Sequence, residues 1–90
     1  MSTIKVEREL DMTLEQVKEV ADKVAEKLSR EYGVRFIWSG NCAAISGPGL
    51  DGNCTVAEKG IAIQLNLGFL LAAFAPRIDE AVNRYLDKLA

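Results

Sequence analysis

The sequence predicts an α+β fold, an antiparallel sheet with amphipathic helices packed on one face, in the order β-α-β-β-β-β-α. Three observations carry this. Apolar and polar residues alternate in several short stretches, the period of a half-buried strand. From Leu14 to Leu28 the apolar spacing lengthens to three and four, the period of a helix. From Val34 to Leu67 only short, turn-rich links separate the alternating stretches; antiparallel strands can be joined so, parallel strands cannot. The 90 residues fit a single domain, 1–90, with one core.

The first strand is expected over Thr3 to Leu10, with Ile4, Val6 and Leu10 inward and Lys5, Glu7 and Glu9 outward. Arg8 falls on the apolar side, where the strand end meets solvent. Thr13 followed by Gln16 matches a capping box, and Met12 is placed to staple onto Val17. Leu14, Val17, Ala21, Val24 and Leu28 then form one stripe, widened by Val20 and Ala25. Glu19→Lys23 and Glu26→Arg30 stand in the favourable i, i+4 order on the solvated side. Gly33 supplies the left-handed residue that ends such a helix.

Val34 to Ser39 predicts the second strand, with Val34, Phe36 and Trp38 on one side. After a Gly40-Asn41 turn comes a short third strand, Cys42 to Ser46, in which small apolar Cys42 is read like Cys54 as a strand residue. Gly47 to Gly52, dense in turn formers, reads as a loop, with Asp51 in it for its turn chemistry. Asn53 to Glu58 is the fourth strand. Lys59-Gly60 turns the chain into the fifth, where Ile61, Ile63, Leu65 and Leu67 alternate with Ala62, Gln64 and Asn66. Phe69 to Ala75 is apolar all round and reads as a short helix, or as the start of one kinked helix. Pro76 is placed at the first position of the last helix, whose stripe is Ile78, Val82, Tyr85 and Leu89, flanked by Ala81 and Leu86. Strands two to five form a meander, and strand one pairs at either of its edges. Arg35, Thr55, Gln64 and Asn66 mark the solvated face. The element order is similar to that of a small helix-grip fold.

Composition narrows function. Eleven Lys and Arg against thirteen Asp and Glu give a net charge of −2, which argues against a nucleic-acid partner. The absence of histidine removes Cys-His and Ser-His nucleophile pairs and most transition-metal sites. Two cysteines make no disulfide framework. The P-loop lysine is missing from the glycine-rich segment. No catalytic residue, metal ligand or cofactor site is expected. The N-terminal residues lack a signal-peptide pattern, and no apolar run reaches the length of a transmembrane segment. A cytoplasmic location is therefore expected.

One segment is open to function. Phe69, Leu70, Leu71 and Phe74 place two aromatics and two leucines within six residues. They belong either to the core, to a self-association interface, or to a surface for a hydrophobic ligand or partner. Trp38 is either core or an aromatic wall for a ligand.

Leu50-Asp51-Gly52, Leu67-Gly68-Phe69-Leu70-Leu71 and Pro76-Arg77-Ile78 carry a resemblance, together with the early Ile4-to-Arg8 strand and the helix ending Glu31-Tyr32-Gly33. Nearly end to end, the chain resembles the polyhydroxyalkanoic acid system family, small proteins encoded in granule-associated gene regions. Cys42-Ala43-Ala44 departs from the bulkier or more polar residues expected there. The resemblance implies a role connected with polyhydroxyalkanoate storage granules and no known reaction. The expected function is a non-enzymatic protein associated with the granules or their regulation through an apolar surface, with the granule surface or granule proteins as partners and a homo-oligomer as a further option. It transfers no catalytic residue. The alternative is a small module holding an apolar or acyl ligand between the sheet and the C-terminal helix, lined by Phe36, Trp38 and Phe69. An enzyme of polyester metabolism is disfavoured by the lack of a nucleophile motif.

Overall fold

Alternation of period two sends every second side chain of a strand to the same face, and the five strands use this to build one apolar face. The computed structural model describes residues 2–89, and the side chains of residues 3–88. The elements are β1 (Ser2–Glu9), α1 (Leu14–Tyr32), β2 (Arg35–Ser39), β3 (Cys42–Gly47), β4 (Leu50–Ala57), β5 (Gly60–Leu67) and α2 (Ala75–Leu89). A single 3₁₀ turn, Ala72–Phe74, leads into α2. The sheet runs β1-β5-β4-β3-β2, with every pair antiparallel. Strand β1 thus takes the β5 edge of the meander, which the sequence left undecided.

Cross-strand rows show how the core is made. Val6, Ile63, Cys54, Ala43 and Trp38 lie side by side, and Ile4, Leu65, Gly52, Ile45 and Phe36 form the next row. Both helices close over this face. Helix α1 lies mainly on β4 and also touches β2 and β5, while α2 lies along β1 and beside α1. Val17, Val20, Ala21, Val24, Ala25 and Leu28 are buried from α1, as expected, with Leu14 half-buried at its start. Ile78, Val82 and Leu86 are buried from α2. Leu86 therefore sits in the stripe and Tyr85 on its flank, the reverse of the expectation; the side chain of Leu89 lies outside the described residues.

The predicted caps of α1 are present. The Gln16 N–H donates to Thr13 Oγ1 at 3.3 Å, and the Thr13 N–H donates to Gln16 Oε1 at 3.0 Å. Gly33 ends the helix at φ 68°. The half-buried Arg8 finds partners across the layers: it donates to Asp87 Oδ1 at 2.7 Å and to Asn83 Oδ1 at 3.0 Å, tying α2 to β1.

Several expectations need correction. The Gly47-to-Gly52 loop is a two-residue hairpin turn, Pro48-Gly49, with Gly49 at φ 75°. Pro then Gly is the residue order of a type II turn. Leu50, Asp51 and Gly52 belong to β4, and Leu50 is buried opposite Leu67. Asp51 is therefore a strand residue, accepting from Asn66 Nδ2 at 2.9 Å. Gly52 is needed where β4 passes close to β5: a Cβ there would lie 2.0 Å from the Gln64 carbonyl oxygen. Composition suggested a loop because it could not show that backbone approach. The β4–β5 turn is Glu58-Lys59, one residue earlier than expected. Cys54 is buried, but Cys42 is exposed on the outer face beside Thr55, because neighbouring positions on adjacent paired strands put the two on opposite faces. The 69–75 stretch is a turn followed by the 3₁₀ turn rather than a short helix, and Pro76 is the second residue of α2. There its missing N–H still lacks no helix partner.

Two outcomes follow. Gly52→Ala should lower unfolding stability by about 2 kcal/mol or more, the scale of forced strain in a packed site; an unchanged denaturation midpoint would show that β4 and β5 can move apart freely. Burial pushes the Cys54 thiol up to about 12, so a thiol reagent at mildly alkaline pH should modify Cys42 in the folded protein and Cys54 only after denaturation. Mass spectrometry distinguishes the two sites.

Candidate functional site

The core closes at the end of β5, and that closure forces the next residues outward. Leu67 is buried against Leu50. The Gly68 N–H donates to the Gly49 carbonyl at 2.8 Å, pinning the strand end to the β3–β4 turn. The N–H groups of Leu71 and Ala72 then both donate back to the Gly68 carbonyl, at 3.1 and 3.0 Å. This bend leaves Phe69 and Leu70 at its tip, 87% and 81% exposed. Leu71 folds back onto the core. Phe74, in the following turn, is 47% exposed.

Of the residues singled out from sequence, Phe69, Leu70 and Phe74 are thus gathered at one end of the molecule, and Leu71 turns inward beneath them. Trp38 does not join them. It lies in the row of Ala43, Cys54 and Ile63, and Ile63 is four residues before Leu67, or about 13 Å along the strand. Trp38 packs partly on the core and borders a hollow of about 250 Å³ with Lys18, Asp22 and Gly40. The space expected for an acyl ligand is filled where the sheet meets α2. Leu65, Leu67 and Ile78 are 1% exposed and Val82 and Leu86 0%, so no water-sized void touches Val82 or Leu86.

Charge is distributed unevenly. Three ion pairs are formed among the described residues: Arg8–Asp87 at 2.7 Å, Arg30–Glu26 at 3.0 Å and Arg84–Glu80 at 2.9 Å. Glu9, Asp11 and Glu58 gather with Lys59 around a hollow at the opposite end, where β1 leaves the sheet and β4 turns into β5. The apolar end carries Arg77, exposed in the first turn of α2 and making none of these ion pairs, and Asp51, next to Leu50 on β4. Arg77 shares a cleft between the two helices with Glu31, Tyr32 and Tyr85. There burial first, then the neighbouring Glu31 carboxylate, holds the Tyr85 phenol protonated, up to about 12.

No polar or charged residue is buried among the described residues, and no three acidic, cysteine or histidine side chains converge as metal ligands. What this geometry offers is a bent, apolar protrusion held by backbone hydrogen bonds, at the end of the sheet opposite the Glu9, Asp11 and Glu58 hollow. From sequence the segment was singled out with core, interface and exposed surface left open, and the cross-layer tie of Arg8 was missed. A cation at an apolar strand position was the available signal.

Comparison with curated proteins and with solved structures returned no match. A family profile described as "Putative polyhydroxyalkanoic acid system protein" matches residues 4–89. That description names a system rather than a reaction, and the match includes every strand and helix described above except the first two residues of β1. The chain belongs to the polyhydroxyalkanoic acid system family.

Proposed function

We propose that this protein is a non-enzymatic component of polyhydroxyalkanoate storage granules in the cytoplasm, docking on the granule through Phe69, Leu70 and Phe74. The observation that carries the reading is the exposure of two large apolar side chains at a bend whose backbone is fixed by three hydrogen bonds. Exposed apolar surface concentrated in one place marks an interaction site. A storage polyester is itself apolar, and the opposite pole, rich in Glu9, Asp11 and Glu58, suits water. Among the described residues no helix is long and apolar enough to cross a membrane, so docking is peripheral.

The energetics favour weak, reversible attachment. Burying an aromatic and its neighbours removes a few hundred Å² from water. At roughly 25 cal/mol/Å² this contributes several kcal/mol before association costs are subtracted. Several copies acting together would bind far more tightly than one, and a homo-oligomer serves this role.

Co-sedimentation with polyhydroxybutyrate particles tests the reading. Wild type should pellet with the particles. Phe69→Asp/Leu70→Asp should stay in solution while keeping its circular dichroism and light-scattering mass, because both side chains lie outside the core. Equal pelleting of the two proteins, or failure of wild type to pellet, would contradict the proposal.

A further inference from the structure

We infer that two copies of the chain join antiparallel through the open edge of β2, centred on Ile37, so that their sheets run on as one. The interface uses none of Phe69, Leu70 or Phe74, and so holds whether or not the bend meets a granule.

Backbone pairing defines this edge. In an antiparallel sheet a residue turns its N–H and C=O to one neighbour, and the next residue turns both to the other side. The Val56 N–H donates to the Asn41 carbonyl at 2.8 Å, so the even-numbered residues of β4 face β3. The pairs Ala43↔Cys54 and Ile45↔Gly52 are therefore the hydrogen-bonded ones, and Cys42, Ala44 and Ser46 face β2. Their partners there are Ser39, Ile37 and Arg35. Phe36 and Trp38 are left with their N–H and C=O groups on the outer side, where the sheet ends. None of these four groups has a hydrogen-bond partner among the described residues. The Val34 carbonyl, next along that side, is already taken by Ser29 Oγ at 2.7 Å.

Pairing the strand with itself satisfies all four groups at once. Phe36 lies opposite the second copy's Trp38, and Trp38 opposite the second copy's Phe36, each pair exchanging two hydrogen bonds. Ile37 then meets the second copy's Ile37 on the two-fold axis, a non-hydrogen-bonded pair with Cα atoms about 4.5 Å apart. Other registers are poorer. Centring on Phe36 brings Trp38 against Val34, whose carbonyl is taken; centring on Trp38 brings Phe36 against Gly40, in the turn.

The side chains suit the same register. Sheet edges are kept apart by charges, prolines and bulges. Strand β1, at the other edge, has Lys5, Glu7 and Glu9 exposed along it. Strand β2 is Arg35-Phe36-Ile37-Trp38-Ser39, with its single charge at one end and unbroken pairing to β3. Arg35 falls opposite Ser39, so like charges do not meet. On the inner face half-buried Phe36 lies beside half-buried Trp38, an aromatic cross-strand pair. On the outer face Ile37 is the one large exposed apolar residue outside the 69–74 segment among the described residues, and the second Ile37 covers it. One short segment thus meets the backbone, charge and apolar requirements of both sides, which favours a second copy over a foreign strand.

Sedimentation equilibrium tests this. Wild type should approach twice the 9.8 kDa of one chain as concentration rises. Ile37→Lys sets two like charges face to face on the axis. It should halve that mass with unchanged circular dichroism, because the side chain lies outside the core. Phe69→Asp/Leu70→Asp should remain dimeric. Cysteine cross-linking in a Cys42→Ser background reads the register. Ile37→Cys should form a disulfide between copies, its Cα spacing being within disulfide range. Arg35→Cys, exposed on the same face but opposite Ser39, should not. A monomeric wild type would overturn the inference and leave the edge to a strand of another protein. Dissociation of the bend variant in place of Ile37→Lys, or equal cross-linking at positions 35 and 37, would overturn it as well.

Discussion

The structure depends on β5. It lies between β1 and β4, the two other eight-residue strands among the described residues. Its inward residues, Ile61, Ile63, Leu65 and Leu67, are buried without exception. Shifting β5 by one residue would turn all four outward at once, so the register of both neighbours is fixed by this row. Helix α1 covers it from the β4 side and α2 from the β1 side. A chain of this size has apolar residues enough to cover one face of a sheet, and the outer face is mainly polar, lined by Lys5, Glu7, Asn53, Thr55 and Ser46, with Ile37 on β2 standing 61% exposed among them.

The same closure generates the candidate site. Once Leu67 and Leu50 fill the end of the core, the next residues have no interior left to enter. Gly68, held by Gly49, turns the chain sharply, and Leu71, then Ala75, reach back to the core. Phe69 and Leu70 are therefore exposed at the tip of a bend closed by backbone hydrogen bonds. The fold places this protrusion on the end away from the acidic hollow. The Arg8 tie to Asp87 and Asn83 fastens the helix that leads away from it. Position and chemistry thus arise from one constraint: the sheet runs out before the apolar residues do.

Much of the fold was legible because alternation and helical spacing are local signals. The stripe of α1, its Thr13–Gln16 box, the Gly33 cap and the inward set of β5 could be read directly. What was not legible depended on contacts distant in sequence. Gly52 resembles a loop glycine until β5 is placed beside it. Cys42 and Cys54 look alike until strand register separates their faces. Phe69 to Ala75 has no periodicity, so its composition was compatible with core, interface or exposed tip; the hydrogen bond from Gly68 to Gly49 decides its path. Trp38 shares its chemistry with Phe69, but pairing puts it in a different part of the sheet. The family relation was readable in the motifs because they mark these same structural points: the β4 crossing at Gly52, the bend at Gly68 and the start of α2 at Arg77.

The central claim is that one end of the molecule, and not its sheet face, meets the granule. Hydrogen–deuterium exchange with and without polyester particles measures this directly. Binding through the apolar end predicts added protection confined to residues 68–77 and the adjoining Pro48-Gly49 turn. Protection spread over the outer face of β3, β4 and β5, with residues 68–77 unchanged, would contradict it.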